Sequence, residues 1–108
     1  MPKYLWRVSY SPEGARGLLE QGGSARRAAI TEMVESVGGY VDACYFALGA
    51  DDLFVIGDAP DEMAAAALAV RTAASGAAVS HTVALLTPEQ IDEATARNIT
   101  YRPPSAAR

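Results

Sequence analysis

The stretch from Gly38 to Asp61 limits the possible folds more than any other part of this chain. Gly38-Gly39 supplies the left-handed stop that ends a helix. Tyr40 to Leu48 is rich in aromatic and branched residues and reads as a strand. Gly49-Ala50-Asp51-Asp52 is turn chemistry. Leu53 to Gly57 is apolar on both faces, which suits a central strand covered on both sides. Ala59-Pro60-Asp61 then opens a second helix with Asp61 as its cap. A hairpin held between two helices leaves few architectures open.

The flanking segments narrow them further. Tyr4 to Tyr10 is a strand, with Tyr4, Trp6, Val8 and Tyr10 on one face and Leu5, Arg7 and Ser9 on the other. Ser11 caps a short helical turn that begins at Pro12 and runs through Leu19, and Gly22-Gly23 breaks it. Ser24 starts the first substantial helix. Ile30, Met33, Val34 and Val37 have amphipathic spacing, while Arg26, Arg27, Glu32 and Glu35 take the wet side. After Asp61 an alanine-rich helix runs to about Ser75, stopped by Gly76. Its alanines permit close approach to a sheet, and Met63, Leu68 and Val70 add bulk. Val79 to Leu86 is a fourth strand. Thr87-Pro88-Glu89-Gln90 is a strong helix start, and that helix reaches about Asn98. Tyr101 to Arg108 is a proline-containing tail expected to order only against a partner.

The order is β-α-β-β-α-β with an extra C-terminal helix. This is the ferredoxin-like α+β arrangement, an antiparallel sheet with both main helices on one face. One domain over residues 1–98 and a tail over 99–108 account for all 108 residues. The second sheet face has apolar residues in every strand and no helix to cover it. Packing sheet to sheet in a homodimer, with higher assembly also open, is the expected answer.

Composition removes several function classes. A net charge of −4 opposes general nucleic-acid binding, which needs a basic face. The single cysteine, Cys44, cannot form an internal disulfide, so a reducing cytoplasm is the expected compartment. No segment reads as a signal peptide, and no apolar run approaches the ~20 residues needed to span a bilayer, so no membrane partner is expected.

The order and spacing of several motifs resemble the GYD-domain family of small bacterial proteins. They are Tyr4 with Ser11-Pro12-Glu13-Gly14, Gly38-Gly39, Tyr45, Gly49-Ala50-Asp51-Asp52 and Pro60-Asp61. The alanine-rich helix, Gly76 and the region Thr82 to Thr87 extend the likeness across about residues 3 to 90. The resemblance implies a relation to dimeric α+β-barrel proteins and carries no firmly assigned activity. One departure is visible: Asp51 stands where the family pattern has a tyrosine.

The candidate site residues each have a structural and a functional account. His81 is the only histidine, and at neutral pH it is the natural acid, base or ligand. It lacks clustered Cys, His or carboxylate partners, so no metal site is expected. With strand four beside strand one, His81 is expected to share a face with Trp6 and Val8. Tyr45 is expected on the side of Val41, Ala43 and Ala47, either packed in the core or orienting a ligand by its phenol. Asp52 opens a strand after a tight turn, where backbone hydrogen bonding competes with catalysis. Cys44 reads as a small core or interface residue rather than a nucleophile. Trp6 is a core or interface anchor that could also line a pocket, and Arg7 must find an acid, solvent or ligand. No motif names a cofactor.

Three functions follow. One is a homo-oligomeric small-molecule-binding module that uses the space between sheet and helices. The second is a cofactor-poor enzyme resembling small α+β-barrel monooxygenases, with His81, Tyr45 and Trp6 as first candidates and Asp52 behind them. The third is a structural oligomerisation module.

Overall fold

The computed structural model describes residues 1–105. Strand β1 (Lys3–Tyr10) leads into α1 (Pro12–Gln21) and α2 (Gly23–Ser36). The hairpin β2 (Tyr40–Phe46) and β3 (Leu53–Asp58) follows, then α3 (Glu62–Ala74), β4 (Ala78–Leu85) and α4 (Pro88–Thr95). The strands form one sheet in the order β2-β3-β1-β4, with every neighbouring pair antiparallel. This is the ferredoxin-like α+β fold.

Local chemistry sets the boundaries. Ser11, Asp61 and Thr87 cap α1, α3 and α4 by accepting the backbone N–H of Gly14, Ala64 and Gln90. Thr87 and Gln90 complete a reciprocal capping box. The Ser11 hydroxyl also donates across to Gly76 O at 2.7 Å, which ties the end of β1 to the turn before β4. Gly14 makes that closure possible. A Cβ there would lie 2.0 Å from Ala77 O.

The core lies between the sheet and α2 with α3. Tyr4, Trp6 and Val8 of β1 and Leu53 and Val55 of β3 meet Ile30, Val34, Ala65 and Leu68 from the helices. The alanine-rich helix packs differently from expectation. Ala65 and Leu68 are buried, whereas Met63 and Val70 are 77% and 67% exposed and add nothing to the core. They lie a half-turn away on the helix, on its solvent side.

Two strand faces also differ from the sequence expectation. A bulge in β2 shifts the register between Val41, opposite Gly57, and Ala43, opposite Ile56. Val41 therefore packs against the core, and Ala43 and Tyr45 fall on the other face. On β4, Thr82 pairs with Trp6 and His81 pairs with Arg7. His81 thus lies on the face opposite Trp6 and Val8, contrary to expectation.

The C-terminal segment leaves the body. Every described residue from Leu86 to Ser105 is exposed, and residues 98–105 form neither helix nor strand. The remainder of the tail expected over 99–108 lies outside the described residues. The radius of gyration is 17.7 Å, against about 13 Å for a compact chain of this length. The exposed α4 and the irregular residues after it contribute to the excess. Among the described residues no helix is long and apolar enough to cross a membrane.

Candidate functional site

A half-open cavity of about 50 Å³ lies between the sheet and the helix layer. Strand β1 supplies Trp6, Val8 and Tyr10, three successive side chains of its inner face. Helix α2 supplies Arg26, Ile30, Met33 and Val34, which share one side by their three- and four-residue spacing. Leu53 and Val55 of β3, Leu68 and Thr72 of α3, and Ala78 and Ser80 of β4 complete the wall. No carboxylate lines it.

The wall is apolar apart from a few polar atoms, and these are unusual. Trp6 Nε1, Tyr10 OH, Arg26 Nε and Ser80 Oγ are all buried without a hydrogen-bond partner in the protein. Buried polar atoms are nearly always paired, and an orphaned one costs about 1–3 kcal/mol. Here the four belong to residues around one space. Trp6 is only 5% exposed, and solvent does not reach its indole nitrogen. Thr72 makes the contrast plain, since its hydroxyl donates to Leu68 O at 2.8 Å within its own helix.

Burial pushes the Tyr10 phenol above its ordinary pKa, and the nearby positive charge of Arg26 opposes this without overcoming it. The Arg26 guanidinium approaches the phenol closely enough for a weak, long hydrogen-bonding interaction, which also opposes the shift, although no bond of ordinary distance and angle reaches the Tyr10 oxygen. Arg26 also has no ion-pair partner among the described residues. The reading of Arg26 as part of a wet helix face is therefore corrected. It is half-buried at the cavity wall, while its neighbour Arg27 is exposed.

The sequence candidates are divided by the sheet. Trp6 lines the cavity; Tyr45 and His81 stand on the opposite, open face. Cross-strand pairing puts Tyr45, Phe54, Arg7 and His81 in one row. Tyr45 and His81 are three strand spacings apart, roughly 14 Å, and do not meet within one chain. Tyr45 is 73% exposed, so the packed-core account of its ring is overturned. Asp52 is spent on structure. Its Oδ2 accepts the Tyr10 backbone N–H at 2.8 Å, and its own N–H donates to Val8 O at 2.8 Å. Cys44 is half-buried against the core, and burial pushes its thiol pKa up more than Arg27 lowers it.

The open face balances its charges. Arg7 Nε lies 3.5 Å from Asp51 Oδ2. Lys3 bonds Asp42 and sits 2.9 Å from Asp58. The Asp42 carboxylate, followed by Asp58, raises the Lys3 pKa. Between these pairs the face is apolar, with Leu5, Phe54 and Ile56 half-buried and Val79 and Val83 exposed. Among the described residues no three His, Cys, Asp or Glu side chains are grouped to hold a metal ion.

Sequence reasoning missed Tyr10, Arg26 and Ser80 as site residues. Two had a visible signal. Tyr10 continues the Trp6 and Val8 face, and Arg26 stands four residues before Ile30 on the apolar side of its helix.

A family model described as the GYD domain matches residues 4–95. No curated protein and no solved structure matches the chain.

Proposed function

We propose that this protein, which belongs to the GYD-domain family, binds a small molecule in the cavity between its sheet and its helices. One observation carries the reading: four of the residues around an otherwise apolar cavity each carry a buried polar atom without a partner, and one of them is a tryptophan that is 5% exposed. An apolar cleft with a few convergent polar groups is the usual form of a ligand site. The same atoms would each cost free energy with nothing to bond, so the arrangement suits a site kept for an occupant rather than for stability. The fold by itself does not choose a function.

Self-association through the open sheet face accompanies this reading. The strands are 6–8 residues long, so the face measures roughly 20–26 Å by 19 Å, about 400–500 Å² before side-chain relief is counted. Two such faces approach the ~1,000 Å² expected of a specific interface. The occupant is a second copy of the chain, because the charged residues on the face are already paired within it. An enzymatic reading has less support. It relied on His81 acting beside Trp6, and the two stand on opposite sides of the sheet.

The chain has a single tryptophan, which serves as the reporter. Protein taken from its native cells should change its Trp6 emission and lose thermal stability after unfolding, extraction and refolding. Adding back the extract should restore both. Identical emission and melting before extraction, after it and on add-back would remove the binding reading.

A further inference from the structure

We infer that the cavity takes a small organic anion, with its acceptor-rich head on Arg26, Tyr10, Trp6 and Ser80 and a short apolar body against Ile30 and Leu53. This rests on the preceding reading that the cavity holds a ligand, and it names the ligand's chemistry.

The inventory of free atoms selects the head. An indole N–H and a guanidinium N–H can only donate. Seryl and phenolic hydroxyls donate or accept, and the raised pKa of Tyr10 keeps its phenol protonated as a donor at neutral pH. Four groups that all can donate, two of them unable to accept, call for a partner rich in lone pairs. Charge then selects an anion. Arg26 is half-buried with its Nε orphaned, and no acid lines the cavity with it. Asp52 acts on Tyr10 from nearby, but it accepts the Tyr10 backbone N–H and does not line the cavity. A neutral occupant would leave the guanidinium without a counter-charge, and a cation would be repelled.

Shape and wall chemistry select the body. A space of about 50 Å³ holds roughly three to five water-sized groups. Aliphatic side chains from β1, α2, β3 and α3 form the rest of its surface. A bare inorganic anion would leave that surface unmatched, while a carboxylate on a short branched chain would cover it.

The test uses the full chain labelled with ¹⁵N, in which Trp6 gives the one indole N–H resonance. Isobutyrate, isobutanol and inorganic phosphate are titrated at constant ionic strength and neutral pH. Isobutyrate should move the Trp6 resonance saturably at concentrations at least ten-fold lower than isobutanol, and phosphate should leave it in place. Arg26→Met should abolish that ten-fold preference while keeping the isobutanol response, and Arg26→Lys should retain part of it. The backbone amide spectrum of each variant checks that it is folded.

Equal response to isobutyrate and isobutanol in the unaltered chain would overturn the anion inference and leave the cavity as a binding site. A phosphate response as strong as that of isobutyrate would overturn the organic body. No saturable movement with any probe would overturn both this inference and the binding reading beneath it.

Discussion

Replacing Ser80 by alanine tests whether the cavity's polar atoms are held for a ligand or for the fold. Ser80 sits on β4 opposite Val8 and faces the helices, and its hydroxyl is buried without a partner. Removing an orphaned buried hydroxyl recovers part of its ~1–3 kcal/mol desolvation cost. The lower strand propensity of alanine and a slightly enlarged cavity offset a few tenths of that. The net expectation is a ligand-free protein more stable by about 0.5–1.5 kcal/mol, with the melting temperature rising about 4–8 °C per kcal/mol. The assay is urea unfolding followed by Trp6 fluorescence, at one fixed protein concentration because self-association would shift the midpoint. The midpoint should rise with an unchanged slope. The same variant should gain less stability than the unaltered chain when cell extract is added. A loss of 1 kcal/mol or more in the ligand-free variant would refute the reasoning, since it would mean that Ser80 has a stabilising partner.

Other substitutions and conditions give distinct outcomes. Gly57→Ala should cost at least about 1–3 kcal/mol by urea unfolding, because its Cβ would fall 2.2 Å from Tyr40 O across the β2–β3 pairing; wild-type stability would show that the strands separate freely there. Asp52→Ala should cost about 1.5–3 kcal/mol through the lost charged bond to the Tyr10 N–H, with Asp52→Asn much milder, and equal losses in the two would contradict the structural role. The Tyr10 phenol has its folded pKa raised above 10.0 by burial. The unfolded chain therefore releases this proton first, so the stability that Tyr10 contributes is complete below pH ~10 and falls as pH rises above it. Unfolding measured at several alkaline pH values should show that slope, and Tyr10→Phe should flatten it. Val83→Asp on the open face should convert a sedimenting dimer to monomer while leaving the circular dichroism unchanged; a monomer before substitution would defeat the self-association proposal.

The fold was largely legible because its signals are local. Helix caps at Ser11, Asp61 and Thr87, glycine stops at Gly38 and Gly76, and the alternation of β1 all act within a few residues. What sequence could not supply depends on register. Whether His81 or Thr82 faces the core is decided by how the turn after Gly76 sets β4 against β1, and a one-residue slip exchanges the two faces. The β2 bulge did the same to Val41, since nothing in Val41-Asp42-Ala43 marks an extra residue. In α3 the abundance of alanine removes the contrast between faces, so Met63 and Val70 carried no sign that they point outward.

The site was less legible than the fold. Trp6 was a candidate, and its neighbours Val8 and Tyr10 lie on the same strand face. Arg26 sat at helical spacing from Ile30 but was assigned to solvent by its charge. A long arginine stem can line an apolar wall, and here it carries Nε into burial beside the cavity. Ser80 gave no signal, because a serine in a strand is unremarkable until its hydroxyl is known to lack a partner. Tyr45 and His81 attracted attention by residue type, yet they share a row of the open face, on the other side of the sheet from the cavity.

Native mass spectrometry of the protein purified from its own cells tests the central claim most directly, since stoichiometry and retained ligand are read from one spectrum. The expected result is a dimer carrying a small-molecule mass beyond that of two chains, lost on collisional activation and diminished in Arg26→Met. A dimer whose mass equals two bare chains, from cells in which the protein is naturally made, would contradict the account.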